Sequence, residues 1–158
     1  MTTVPRGRRS RLAAGRCVGA TALVVFAGCS TPAPGLTENG LPPCPDRPNC
    51  VTSLDGGPRH KVDPLSYTGD RAAARARMRQ IVAAQPGATI VAESDDYLRV
   101  EFRTRVLRFV DDVTFWFPPD QSVIHVRSAA RVGYSDLGVN RRRVERLRAL
   151  FAGESPEK

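Results

Sequence analysis

The chain has few of the side chains on which most metal and redox sites depend. Its 158 residues include only two histidines, four cysteines and two methionines. The CxxC motif of thiol redox proteins, the HExxH motif of zinc proteases and the GxSxG motif of many serine hydrolases are all missing. We therefore expect no metal and no organic cofactor.

Long apolar runs are also missing. A membrane-spanning helix needs about 20 apolar residues, whereas the apolar stretch at residues 17–28 has twelve. Five arginines and no acidic residue precede it, and Ala27 and Gly28 lead directly to Cys29. This order is typical of a bacterial lipoprotein signal. We predict that residues 1–28 are a signal peptide and that lipidated Cys29 anchors the exported protein to the outer face of the cell membrane. The alternative is an ordinary signal peptide whose cysteine is incidental.

Acidic residues are absent before Cys29, so the net charge of the whole chain, +8, overstates that of the exported part. Without the five arginines of the predicted signal, 19 basic residues face 16 acidic ones, a net charge of +3. So small an excess in an exported protein gives no reason to expect a nucleic-acid partner. Lysine is scarce as well, and 17 of the 19 basic residues are arginine, whose planar fork suits carboxylate or phosphate.

Cys44 and Cys50 are the two cysteines that remain for the folded part, with five residues between them. In an oxidising compartment such a pair closes a small disulfide loop. Metal ligation together with His60 or His125 is the alternative, although neither spacing matches a zinc pattern. We predict the disulfide.

The rest of the chain divides into three parts by composition. Residues 29–41 are rich in proline, glycine and polar residues, and we predict that they form a flexible tether. Residues 42–153 are enough for one domain, and residues 154–158 form a polar tail.

Hydrophobic periodicity predicts two helices and four strands in this domain. Asp70 is a suitable N-cap for a helix from Arg71 to about Gln85, and Asn140 for one that ends near Ala152. Between them, alternating apolar residues predict strands at residues 88–92, 97–104, 107–117 and 122–128. The expected fold is α+β, a four-stranded antiparallel sheet that is wet on one face and carries both helices on the other.

Two consecutive aspartates interrupt the third predicted strand. Because neighbouring side chains of a strand point to opposite faces, either Asp111 or Asp112 must point to the core side. A buried carboxylate needs a partner, for which Arg127 and Arg108 are the candidates. The alternative is a bulge or strand start at which both aspartates are wet.

A polar segment, residues 126–143, joins the last strand to the last helix. Gly133 and Gly138 give its backbone freedom, and the first turn of the helix presents unpaired N–H groups that favour anions. The alternative is that Asp136 and Tyr134 satisfy those groups internally and make the connection rigid. The candidate ligand-binding residues are Arg127, Ser128, Arg131, Tyr134, Asp136, Asn140, Arg143, Asp111 and Asp112.

Three blocks of sequence resemble the domain-of-unknown-function family 1499. They read PPCPDRPNCVTSL, RFVDDVTF and VRSAARVGYSDLGVNRRRVERLR, and they span roughly residues 42–150. The third block is the most specific, with the pattern S-x-x-R-x-G-Y-x-D-x-G-x-N-x-x-R, although Ala129 stands where many members have serine. The resemblance implies a small exported or membrane-associated domain and implies no reaction.

The residues leave two classes of function open. A non-catalytic envelope domain would bind an anionic ligand or an envelope protein through the polar segment. A small envelope hydrolase would use aspartate, serine and tyrosine residues of the same segment, but the many arginines would keep both acids of a carboxylate pair ionised. His125 lies on the same strand face as Arg127, and we expect that cation to lower its pKa. We expect the non-catalytic binding or scaffold domain.

Overall fold

The computed structural model describes residues 35–38 and 40–154. The predicted signal peptide, Cys29, most of the predicted tether and residues 155–158 lie outside this part of the chain. Within it, no helix combines the length and the hydrophobicity that crossing a membrane requires.

The described residues form three helices and six strands. In chain order these are β1 (Cys50–Thr52), α1 (Gly57–His60), β2 (Leu65–Ser66), α2 (Arg71–Ala83), β3 (Ala88–Glu93), β4 (Tyr97–Arg103), β5 (Val110–Trp116), β6 (Val123–Ala130) and α3 (Val139–Ala152).

All strand pairs are antiparallel, in the order β1-β6-β5-β4-β3, and β2 also pairs with β6. The mixed helix and strand class and the antiparallel sheet are therefore confirmed. The count of four strands is wrong for the described residues, because β1 and β2 join the sheet along the free edge of β6. With three and two residues, these strands are too short to show a period of two.

The core lies between the sheet and the two long helices, which pack against each other and against the same side of the sheet. The sheet contributes the alternating apolar residues of β4, β5 and β6, as their periodicity predicts. The helices contribute the buried side chains Ala74, Met78, Val82, Val144, Leu147 and Phe151. Every buried apolar residue of the described chain lies between Leu41 and Phe151, so this stretch contains a complete core.

The two long helices begin in different ways. Asp70 caps α2 as predicted, since its Oδ2 accepts a hydrogen bond from the Ala73 amide at 2.9 Å. The prediction of Asn140 as the N-cap of α3 is wrong: Gly138 has that position, and Asn140 is a buried residue of the first turn.

On the second face of the sheet, β5 and β6 are covered by the segment that precedes β1, residues 40–49, which we call the strap. Gly40 lies against the ring of Trp116, and a Cβ there would approach that ring to 2.5 Å. Leu41 is buried, and the Cys44–Cys50 disulfide, with a Cα–Cα distance of 5.7 Å, joins the strap to β1. The disulfide is thereby confirmed. The expectation of a wet face is wrong for β5 and β6, which are buried on both faces along most of their length.

Candidate functional site

Asp111 and Asp112 are both buried and point to opposite faces of the sheet, so the wet alternative is wrong. Asp111 shares the helix-facing side with its cross-strand partner Phe102, whereas Asp112 shares the strap side with Glu101. Their ion-pair partners are Arg143 and Arg131, respectively. The expectation of Arg127 or Arg108 as partner is therefore wrong, because helix α3 brings in an arginine 32 residues away along the chain.

On the helix side, Arg143 is the centre of a cluster that we call the inner polar network: Asp111, Ser128, Asp136, Asn140 and Arg143. Its guanidinium donates to Asp111 Oδ2 at 2.5 Å and to Asn140 Oδ1 at 2.7 Å, and lies 4.8 Å from the centre of the Phe102 ring. Ser128 Oγ donates to the same Asn140 oxygen at 2.5 Å. The network joins β5, β6 and α3 through buried groups that satisfy one another.

Asp136 completes this network at the start of α3. Its carboxylate accepts from the backbone amides of Gly138 at 2.9 Å and Asn140 at 2.7 Å, and from the Asn140 side chain at 2.7 Å. These are N–H groups at the start of α3, where the sequence predicts that an external anion could bind. A carboxylate of the chain itself therefore occupies that position. Tyr134 takes no part in this arrangement, since its side chain is 69% exposed.

On the strap side, Arg131 bridges two carboxylates from neighbouring strands. Its Nε and Nη2 donate to the two oxygens of Asp112 at 2.7 and 2.8 Å, and Nη2 also donates to Glu101. Arg103 adds a second, longer pair with Glu101 at 3.8 Å. The hydrogen bonds to Asp112 are the main reason that the pKa of Arg131 is raised.

Arg127 differs from the other arginines of the candidate set. It is 7% exposed, and its Nη2 donates to the Pro43 carbonyl at 3.4 Å. Within the described residues it has no carboxylate within ion-pair distance, and its Nε has no hydrogen-bond partner. Burial lowers the pKa of this guanidinium, while the charge of Asp112 acts in the opposite direction. Among the described residues, the side-chain hydrogen bond of Arg127 therefore goes to the strap.

His125 lies beneath the other end of the strap. Its ring stacks on Trp116 at 5.5 Å, Nδ1 is 3.1 Å from Ser53 Oγ, and Nε2 is 3.4 Å from Gln121 Oε1. Ser53 Oγ accepts from the Val126 amide, so it has a proton to donate to Nδ1 of a neutral ring. The pKa of His125 is lowered as expected, but the cause is burial rather than the charge of Arg127.

Sequence reasoning missed Asn49, which joins the strap to the polar segment. Its Nδ2 donates to the Gly133 carbonyl at 2.7 Å. Its backbone carbonyl accepts from the Ala130 amide and from Asn140 Nδ2. The only signal for it was its place in the first of the three resembling blocks, between the two cysteines.

Two segments leave the same end of the sheet, and together we call them the tip. They are the loop at residues 104–109 and residues 131–139, which comprise the loop before α3 and the first residue of that helix. Arg103 pairs with Val110, and Asp111 pairs with Ala130, so the loops extend from adjacent strands. Seven of the eight large apolar side chains that are exposed in the described chain belong to the tip: Val106, Leu107, Phe109, Val132, Tyr134, Leu137 and Val139.

The start of β5 differs from the predicted start of that strand, because the first tip loop extends to Phe109. The predicted strand begins at Leu107, but β5 begins at Val110, and residues 107–109 are exposed. The Thr104 amide donates to the Phe109 carbonyl and Thr104 Oγ1 accepts from the Phe109 amide, both at 2.9 Å, which closes the loop. Arg108 and Leu137 are the described non-glycine residues with positive φ, and one lies in each loop. Such backbone is maintained only where the surroundings fix it.

Other parts of the described chain contain fewer groups that could bind a metal ion or transfer a proton. No three histidine, cysteine, aspartate or glutamate side chains gather there in a way that suits a metal ion. A groove of about 370 Å³ is lined by Ser66, Tyr67, Thr68, Ala73, Ala74, Arg77, Phe151 and Ala152. It contains no carboxylate and no imidazole, so it has no acid–base pair.

The family model described as a protein of unknown function, DUF1499, matches residues 40–151. The chain belongs to the DUF1499 family. Comparisons with curated proteins and with solved structures find no match. The DUF1499 match begins at Gly40, the first residue of the strap, and ends at Phe151 in α3, so it covers both polar clusters and the tip.

Replacing Arg143 by methionine tests whether the inner polar network is structural. The change leaves Asp111 buried without its ion pair, and we expect it to lower the free energy of unfolding by about 3–5 kcal/mol. Urea unfolding followed by circular dichroism measures the loss. Arg146→Met, on the exposed side of the same helix, is the control and should change stability by less than about 0.5 kcal/mol. Equal effects of the two changes would show that the pair does not hold the fold.

The lowered pKa of His125 predicts a pH dependence of stability. The unfolded chain, with a histidine pKa near 6.5, binds a proton that the folded state resists. The contribution of His125 is therefore complete above about pH 6.5 and is lost as the pH falls through and below that value. His125→Gln should flatten the decline in Tm between about pH 8 and pH 5. A decline as steep in the variant as in the parent would assign it to other groups.

Proposed function

We propose that this protein is an exported, lipid-anchored component of the cell envelope, whose domain binds a partner through the tip without catalysing a reaction. The observation that carries the proposal is the concentration of exposed apolar side chains on two adjacent loops. Single exposed apolar residues are ordinary on protein surfaces. Their concentration at one end of a domain is typical of an interaction site.

The polar residues of the strand-to-helix segment act in this proposal as the support of the tip. Asp136 and Asn140 fix the start of α3, and Asn49 fixes the carbonyl of Gly133 in the middle of the loop. At the base of the tip the Arg131 amide donates to the Val110 carbonyl at 3.1 Å. A loop that is ordered before binding loses less conformational entropy when a partner arrives.

The anchor follows from the order of basic, apolar and small residues before Cys29. The Cys44–Cys50 disulfide supports an oxidising compartment outside the cytoplasm. Cys29 lies eleven positions before Gly40, the start of the strap, and most of the predicted tether, residues 29–41, lies between them.

Hydrolysis receives no support from the positions of the candidate groups. The Ser128 side chain is fully buried and donates to Asn140, and Asp111 is enclosed by its ion pair with Arg143. Asp112 is likewise bridged to Arg131 on the other face of the sheet. A carboxylate pair of Asp136 with Asp111 or Asp112 would need one protonated member near a free one. Asp136 accepts from the Gly138 and Asn140 amides, so all three acids already have partners inside the domain.

Cys29→Ser tests the anchor in the full-length chain. Labelled palmitate should enter the parent protein, and the protein should sediment with membranes, because the acyl chains attached to Cys29 hold it there. The serine variant should lose both the label and the membrane association. Cys17→Ser, within the predicted signal, is the matched control and should keep both. Label that persists without Cys29 would refute the anchor.

A photo-crosslinking residue at position 134 tests the tip. With benzoylphenylalanine in place of Tyr134, illumination of intact cells should give an adduct with an envelope component, because this ring projects from the tip. The same residue in place of Val91, the exposed apolar side chain outside the tip, should give no such adduct. Absence of an adduct at position 134, or equal adducts at both positions, would overturn the proposed function.

A further inference from the structure

Resting on the proposed function, we propose that the partner of the tip is the surface of an anionic phospholipid bilayer. In this arrangement the apolar side chains of the tip insert at the level of the lipid headgroups, and Arg105 and Arg108 of the first loop contact the phosphates.

The first tip loop alternates cationic and apolar residues. Arg105 and Arg108 flank Val106 and Leu107, Phe109 follows, and all five are exposed. No acidic residue occurs from Phe102 to Val110. Segments that lie in a membrane interface combine phenylalanine or leucine with lysine or arginine in this way. The cores of protein–protein interfaces, in contrast, are depleted of charge.

The acidic residues that flank or lie within the tip loops are all turned to internal partners. Glu101 and Asp112 pair with Arg131, and Asp111 pairs with Arg143. Asp136 accepts hydrogen bonds at the start of α3. The charge that the tip presents outward is therefore positive, and this complements the negative surface potential of anionic lipids.

Both loops supply exposed apolar groups at the same end of the sheet. Val106 is 89% exposed in the first loop and Leu137 is 84% exposed in the second. Both loops start from adjacent antiparallel strands, which lie about 5 Å apart. An interfacial element needs to enter the bilayer by only about 5–10 Å, a depth that side chains projecting from loops can reach.

The tether is long enough for the tip to meet the membrane that holds Cys29. Gly40 lies on Trp116, the last residue of β5, and the tip lies at the other end of that strand. The seven residues of β5 span about 20 Å. Thr37 and Gly40 close a hydrogen-bonded turn, so the stretch that can extend runs from Cys29 to Thr37, and its eight steps reach roughly 26–29 Å. A domain confined in this way meets the bilayer at a high effective concentration, so weak insertion is sufficient.

Vesicle flotation with residues 30–158, which include the complete core but no acyl chain, tests the inference. The protein should float with vesicles of equal parts phosphatidylglycerol and phosphatidylcholine and should stay behind with pure phosphatidylcholine. The double change Val106→Asp and Leu107→Asp should weaken partitioning by at least about tenfold. Arg105→Gln and Arg108→Gln should each weaken it by about fivefold, and added salt should reduce the effect of these arginines.

Val91→Asp is the matched control, since Val91 is exposed but lies on β3 outside the tip, and its partitioning should equal that of the parent. The changes at Val106 and Leu107 leave the core intact because both side chains are exposed, and thermal unfolding of each variant checks this. Equal flotation of the parent and the tip variants would overturn the inference, as would equal flotation with neutral and anionic vesicles.

Fluorescence quenching tests the orientation with the same vesicles. Trp116 is the single tryptophan and lies at the end of β5 away from the tip, so brominated lipids should leave its emission unchanged in the parent. Phe109→Trp adds an indole at the tip, and its emission should be quenched. Quenching of Trp116 in the parent would overturn the proposed orientation.

The two proposals fail in different ways. A protein adduct at position 134 in cells, together with no flotation, overturns the lipid inference and leaves the proposed function standing. A lipid adduct with flotation supports both. No adduct in cells overturns the proposed function and the inference together.

Discussion

The ion pair between Asp111 and Arg143 is the interaction on which the arrangement of this domain depends. A carboxylate and a guanidinium buried beneath a helix are stable only when every remaining donor and acceptor is satisfied. Asn140 and Ser128 supply those partners, and Asp136 in turn orients Asn140. The pair therefore fixes where α3 begins, and the start of α3 fixes the loop before it.

The second face of the sheet also buries charged side chains, but their partners are different residues. Asp112 and Arg127 are buried on this face, so they too need partners inside the protein. Arg131 satisfies Asp112 and Glu101 together, and Arg127 reaches the Pro43 carbonyl. The disulfide keeps the strap beside β1 and so helps to exclude water from that face.

These two clusters change how the polar candidate residues should be interpreted. The charged members of that set make internal contacts: Asp111, Asp112, Arg127, Arg131, Asp136 and Arg143. The large apolar and aromatic side chains of the tip are exposed, on loops in which Arg108 and Leu137 adopt positive φ. In the proposed function, the exposed side chains of the tip therefore determine which partner binds, and the internally paired polar residues keep the tip rigid.

Local patterns in the sequence determined the four antiparallel strands β3 to β6, helix α2 with its Asp70 cap, the disulfide and the opposed directions of Asp111 and Asp112. Each depends on a period or a spacing of a few residues. Tertiary structure decided the partners of the two aspartates, the true start of α3, the place of Asn49 and the burial of both faces of β5 and β6. Those depend on which segments, up to 91 residues apart, come within hydrogen-bond distance. The periodicity of side chains shows only whether a position is buried and on which face it lies. It gives no information about which distant residue contacts that position.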